Sequence, residues 1–125
     1  MRFMMIMIPR PLSEEEWGPS PDAVSEMSRY NEELTKAGVL LALDGLQPAS
    51  KGARVSFPGR KATVTDGPFS EAKEVIGGYW LIQAKSKEEA VAWASRCPAG
   101  DGDVIEVRQV YEMSEYPAEV QEAAR

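Results

Sequence analysis

Six consecutive apolar residues, Phe3–Ile8, stand at the start of the chain. A strand apolar at every position is a strand buried on both faces, and Pro9 and Pro11 end it. A polar connection, Leu12–Ser20, follows with the acidic run Glu14–Glu16 and Trp17; it reads as a loop or a short helical turn. Ser20-Pro21-Asp22 is a helix start: a side-chain cap, a proline suited to the first helical position and an acid at the positive end of the dipole. Val24, Met27, Tyr30, Leu34 and Ala37 then recur at helical spacing, and Gly38 is placed to end the helix. Val39–Leu43 is the next apolar strand, broken by Asp44-Gly45.

The second half repeats the scheme after an insert. Arg54–Phe57 and Arg60–Thr65 flank Pro58-Gly59 as a hairpin, and Asp66-Gly67-Pro68 is another turn. Gly78–Ala84 is a strand rich in apolar residues on both faces. Ser86 with Glu89 three residues on has the pattern of a capping box, and Ala90, Trp93, Ala94 and Cys97 form the buried stripe of the helix it starts. Pro98 and Gly100 end that helix, and Asp101-Gly102 turns the chain into the strand Val104–Tyr111. The tail, Glu112–Arg125, is acidic and reads as a short helix or a frayed end.

The order β-α-β, hairpin, β-α-β is the split βαβ pattern of a ferredoxin-like α+β fold, in one domain over residues 1–111 with the tail at 112–125. Two helices cover one face of such a sheet. The strands at Phe3 and Gly78 are apolar on both, so the second face needs a cover. A second copy of the same sheet supplies it, which predicts a homodimer through the sheet face. In the last strand Ile105 and Val107 alternate with Glu106 and Arg108; with the former on the helices, the charged pair projects to the inter-sheet side, as an ion pair or as part of a ligand site.

Composition narrows the chemistry. The chain has 125 residues, no histidine and one cysteine, Cys97. Histidine bases, histidine metal sites and Ser–His or Cys–His nucleophiles are thereby absent within the chain, and no intrachain disulfide exists, which suits a reducing cytoplasm. Fourteen basic and twenty acidic residues give a net charge of −6. Residues 1–62 are balanced, and the excess lies in 63–125. Nothing forms a basic stripe, so direct nucleic-acid binding is not expected. The apolar opening is too short for a membrane span or a signal-peptide core. With no histidine, a single cysteine and no EF-hand spacing among the carboxylates, no metal site is expected, and the chemistry read below uses no organic cofactor.

Val64-Thr65-Asp66-Gly67-Pro68-Phe69, continuing as Ser-Glu-Ala-Lys-Glu and then Gly77-Gly78-Tyr79, resembles the signature of the DGPF-domain branch of the YCII-related family. The opening FMMIMI strand, Ala37–Leu41, Gly45–Pro48, Glu89–Ala94 and Val107–Val110 are similar to the same family, so the likeness spans roughly residues 2–111. The resemblance implies a dimeric α+β barrel. It implies less about function: the family's inferred pocket rests on a histidine–aspartate pair, which this chain, lacking histidine, does not carry. Relatives of the wider fold include dehydrochlorinases, muconolactone isomerases and small cofactor-free monooxygenases. Some DGPF proteins are encoded beside extracytoplasmic-function sigma factors.

The candidate site residues follow from these segments. Asp66 has two compatible readings. In one it bonds nearby backbone N–H groups, with Gly67 supplying an unusual φ, so that the motif is a rigid turn. In the other the turn holds Asp66 and Phe69 at a pocket mouth, with the carboxylate as general base. Glu74, after Lys73, is either solvated or an acid–base partner for Asp66. Tyr79 and Trp80 point to opposite faces of their strand, one to the helix-side core and one to the inter-sheet space. Arg108 is the candidate anchor for a substrate carboxylate, and Tyr30 and Asp44 are weaker options. These residues fit a pocket for a small polar organic molecule and cofactor-free isomerase- or lyase-type chemistry. The alternative is a non-catalytic interaction module acting through the acidic second half.

Overall fold

In the computed structural model, which describes residues 1–67 and 75–125, strand β1 (Arg2–Ile8) is the centre of the molecule. It runs antiparallel between β5 (Gly78–Gln83) and β6 (Val104–Gln109), and β2 (Leu40–Gly45) pairs with the far side of β5. The sheet order is β2-β5-β1-β6. Helix α1 (Pro21–Lys36) links β1 to β2, and α2 (Lys87–Ser95) links β5 to β6. Each crossover is therefore split by one inserted strand, which is the ferredoxin-like α+β arrangement. The separate hairpin of β3 (Ala53–Ser56) and β4 (Thr63–Asp66) lies between β2 and β5 in the chain, and a short helix α3 (Ala118–Ala123) lies near the C-terminus.

The central position of β1 explains its composition in part, because both its edges are paired and its helix-side face is covered. Phe3 and Met5 alternate onto the helix side, where they pack with Trp80, Ile82, Tyr30, Leu34 and Ala90 as the buried core. Tyr30 ties the two helices together: its hydroxyl donates a 2.7 Å hydrogen bond to the Trp93 carbonyl, and Arg96 at the end of α2 pairs with Glu33 of α1. Met4, Ile6 and Ile8, with Leu81 of β5, lie on the opposite face and are only half-buried. Ile105 and Val107 pack toward the helices, so Glu106 and Arg108 project from that open face, paired at 3.4 Å.

The caps explain the helix boundaries. Ser20 Oγ accepts from the Ala23 N–H, and Gly38 takes φ +74° just past the end of α1, a region glycine enters without strain. Ser86 Oγ accepts from the Glu89 N–H, but Glu89 returns its carboxylate to the Lys85 N–H, one residue outside the reciprocal box the spacing predicts.

Several boundaries differ from the sequence expectation. β2 continues through Asp44 and Gly45 instead of breaking there, because both pair with β5 opposite Tyr79 and Gly78. β5 ends at Gln83 and β6 at Gln109. The hairpin strands are shorter, and the turn between them spans residues 57–62, because Val55 pairs with Val64 and thereby sets the register. Val24 is exposed on α1, not part of its buried stripe. Asp66 is the last residue of β4, opposite Ala53, and the turn expected after it continues outside the described residues. Gly67 does not need positive φ. A Cβ there would stand 2.0 Å from the Ala49 carbonyl oxygen, so glycine is required by close approach. The tail starts anchored: Arg2 pairs with Glu112 at 2.7 Å, and the Val110 N–H donates to the Arg2 carbonyl.

Candidate functional site

A cleft of about 1020 Å³ lies at one end of the sheet, between the helix-side face, the N-terminal half of α1 and the segment joining β1 to α1. The local folding that makes it is short-range. Pro9 and Pro11 carry the chain away from β1, and Ser13 and Glu16 close a tight turn by exchanging hydrogen bonds. The Ser13 backbone N–H holds the Glu16 carboxyl below its ordinary range. That turn brings Trp17 back against the end of β2, where its indole N–H donates to the Leu46 carbonyl at 3.0 Å.

Met7, Leu43 and Trp80 form the floor, and Val24, Met27 and Asn31 form the α1 wall. The Trp80 indole N–H donates to Asn31 Oδ1 at 2.8 Å. An indole is a donor only, so the Asn31 oxygen must face it, and the amide NH₂ is left for another acceptor. Tyr30 braces the back of Trp80 edge-on, with ring centroids 5.9 Å apart. Both indole N–H groups are thus committed within the protein, and the tryptophans present carbon to the cleft.

Asp44 and Tyr79 border the cleft at the end of the sheet, but as a cross-strand pair beside Ile6 they stand on the opposite, open face. They are direct cross-strand partners on β2 and β5, and the Tyr79 hydroxyl donates to Asp44 Oδ2 at 2.8 Å. This hydrogen bond, together with the negative charge of Asp44, raises the phenol above its ordinary pKa. A Cβ at Gly78 would stand 2.7 Å from the Asp44 carbonyl oxygen, so a glycine beside Tyr79 is what lets β5 reach β2 closely enough for the pair. Elsewhere in the lining, Asp103 accepts from the Arg10 backbone N–H at 2.9 Å, the Arg10 guanidinium at 3.1 Å and the Gly100 N–H at 2.8 Å. Burial pushes the Asp103 carboxyl up, but those donors outweigh it and hold it below its ordinary range. Among the described residues no group of three or more Cys, Asp or Glu side chains is placed to hold a metal ion, and no helix is long and apolar enough to cross a membrane.

The structure sends Tyr79 and Trp80 to opposite faces of β5: Trp80 to the floor of the cleft, and Tyr79 with Asp44 to the open face at the end of the sheet that borders it. It does not bring Asp66 or Arg108 to the cleft. Asp66 is exposed on the hairpin, and Arg108 is on the open face of the sheet beside Glu106. Phe69, Lys73 and Glu74 lie outside the described residues. Asn31, Trp17 and the Arg10–Asp103 pair escaped the sequence reading. Two signals were present: a polar Asn31 one residue after the buried Tyr30, and a Trp17 stranded in a polar connection, where an exposed indole is costly without a partner.

Comparison with known proteins places the chain by sequence. Residues 1–114 match the YCII-related domain. An uncharacterised protein of Rhizobium meliloti (strain 1021) is 30% identical over 80 residues, 62% of this chain; the match spans 64% of that relative's length. Among solved structures, 5-chloro-2-hydroxyhydroquinone dehydrochlorinase (TftG) from Burkholderia phenoliruptrix AC1100, in complex with 2,5-dihydroxybenzoquinone, is similar at a TM-score of 0.49 and 16% identity, over 91% of this chain and 98% of that one.

Proposed function

The chain belongs to the YCII-related family, and from that premise we propose that it binds a small polar organic molecule in the cleft beneath α1 and transfers a proton on it. The observation that supports this reading is a cleft floored by apolar and indole carbon and walled by the Asn31 amide, with the Asp44–Tyr79 pair round the end of the sheet on its open face. Small-molecule sites have this form: a mostly apolar concavity with a few convergent polar groups. Asp44 is the proton acceptor, oriented by a phenol that stays neutral and so leaves its charge uncancelled. The free Asn31 amide N–H is a donor toward a ligand oxygen. Proton removal next to a carbonyl, followed by return of the proton at another atom or loss of a leaving group, gives isomerase- or lyase-type chemistry. Trp80 is a wall of this site, and Tyr79 bears on it through Asp44, the proposed base at the end of the sheet in place of Asp66.

The open face of the sheet is proposed to be covered by a second copy of the chain. Met4, Ile6, Ile8 and Leu81 are apolar there and only half-buried in one copy.

The test is a screen of small oxygenated aromatic and aliphatic compounds by ¹H–¹⁵N NMR. The three tryptophans give separable indole signals. Ligands are expected to shift Trp17 and Trp80 while leaving Trp93 unmoved, and to lose affinity in Asp44→Asn but not in Asp66→Asn. Ligands that act on neither Trp17 nor Trp80, or that depend on Asp66 and ignore Asp44, would sink the assignment.

A further inference from the structure

The β3–β4 hairpin is not hydrogen-bonded to the main sheet. All eight of its strand residues are exposed, and they form a two-stranded sheet apart from the main one. Val55 and Val64 face each other across the strands at 52% and 64% exposure, and Phe57, two residues beyond Val55, is 65% exposed. An isolated hairpin is at best marginally stable in water, and a contiguous exposed apolar patch marks a contact surface. At the tip, Gly59 and Arg60 both adopt left-handed backbone, a conformation that arginine rarely takes, and Lys61 follows. From Ala53 to Asp66 the chain bears Arg54, Arg60 and Lys61 against Asp66, a net +2. Taken from the whole-chain −6, this leaves −8 on all other residues.

The complementary surface is the C-terminal segment. Tyr111, Met113 and Val120 are 67%, 51% and 44% exposed. Residues 111–125 carry four glutamates against Arg125, a net −3. The segment is held in shape, since Tyr111 stacks on Tyr116 with centroids 4.8 Å apart and Arg2 grips Glu112. The apolar side chains of hairpin and segment are both exposed in one copy.

We infer that the β3–β4 hairpin is an arm that docks on the C-terminal segment, residues 111–125, of a second copy of this chain. Val55, Phe57 and Val64 meet the exposed Tyr111, Met113 and Val120, and Arg60 and Lys61 meet the glutamates. The contact is independent of the cleft ligand. It would add to a pairing of the open sheet faces without requiring it.

The test places the photo-cross-linker p-benzoyl-phenylalanine at position 57 of the full-length protein. Irradiation is expected to give a covalent dimer in which trypsin leaves the probe peptide joined to Gln109–Arg125, the single tryptic peptide that contains the whole segment. The yield should fall several-fold in high salt, and likewise in the variant combining Arg60→Glu and Lys61→Glu, because exposed charge pairs are screened. A reciprocal probe at position 113, which leaves the hairpin unaltered, should capture Val55–Arg60. Monomer bands only, dimers joined at other peptides, or a yield indifferent to salt would overturn the inference.

Discussion

Tyr79 and Asp44 are direct cross-strand neighbours, and the phenol of one donates a 2.8 Å hydrogen bond to the carboxylate of the other on the open face of the sheet, at the end that borders the cleft. The bond has two effects. It fixes the carboxylate with a neutral partner, which leaves its charge available, and it makes loss of the phenolic proton harder.

Both effects can be measured. Asp44→Asn should lower turnover of any substrate by roughly 10²–10⁴-fold, the usual worth of a positioned general base. Tyr79→Phe should cost less, because the carboxylate remains. Separately, a spectrophotometric titration of phenolate should show one tyrosine of the wild type ionising later than in Asp44→Asn, where the partner charge is gone. Superimposable titration curves would show that the pair does not persist in solution.

The Asp103 carboxylate is the second point of leverage. Its side chain is 10% exposed and takes three donors, two of them from Arg10. Its pKa is held below the ordinary 3.8, so its contribution to stability is present above that value and lost as pH falls through the lower, folded one. Asp103→Asn should cost about 1–2 kcal/mol at neutral pH, since it removes a charged acceptor from Arg10 and the Gly100 N–H. Unfolding by denaturant between pH 2 and 7 should show a shallower acid limb for the variant. An unchanged limb would assign acid sensitivity to other carboxylates.

Most of the fold was legible because its signals are local and periodic. The all-apolar Phe3–Ile8 run, the Ser20 and Ser86 caps and the β-α-β order lead directly to the split crossover, and the opposite placement of Tyr79 and Trp80 follows from strand alternation. The cleft was less legible because its makers are far apart in sequence. Trp17 meets Leu46, Asn31 meets Trp80, and Asp44 meets Tyr79, each across a gap that only the sheet order closes. Asp44-Gly45 has the composition of a turn, yet ladder bonds to β5 keep it in β2, and that extension is what sets Asp44 opposite Tyr79. Gly67 was expected to supply an unusual φ, which it does not. It answers to the Ala49 carbonyl, a contact invisible in the sequence.

The open sheet face gives a prediction about assembly. Ile6 lies at its centre, opposite Tyr79 on one side and Glu106 on the other. Wild-type protein should sediment as a dimer. Ile6→Glu should shift it to monomer while preserving the far-ultraviolet dichroism, since the helix-side core is untouched. A wild-type monomer, or a dimer that tolerates glutamate at position 6, would mean that this face is not the interface.

Cys97 closes the alkaline side. It sits just past α2, half-buried against the core with Trp93 and Ile105. Burial pushes its thiol up to about 11 from the ordinary 9.0, and the charge of Asp103 adds to the shift. Ionisation is thus harder in the folded chain than in the unfolded one, where the thiol titrates near its ordinary value. The sign follows from proton counting: between pH 9 and 11 the folded state holds more protons, so the associated stability is complete below pH 9 and drains away as pH rises through 11. Tyr30, also raised chiefly by burial, extends the same trend to higher pH. Cys97→Ala should therefore flatten the loss of stability between pH 9 and 11 while leaving the higher-pH loss from Tyr30 in place. At pH 8 the wild-type thiol should react with iodoacetamide at least tenfold more slowly than a free, solvent-exposed thiol, because only the thiolate attacks. Labelling at the free-thiol rate, or an alkaline slope that survives the substitution, would place the titrating group elsewhere.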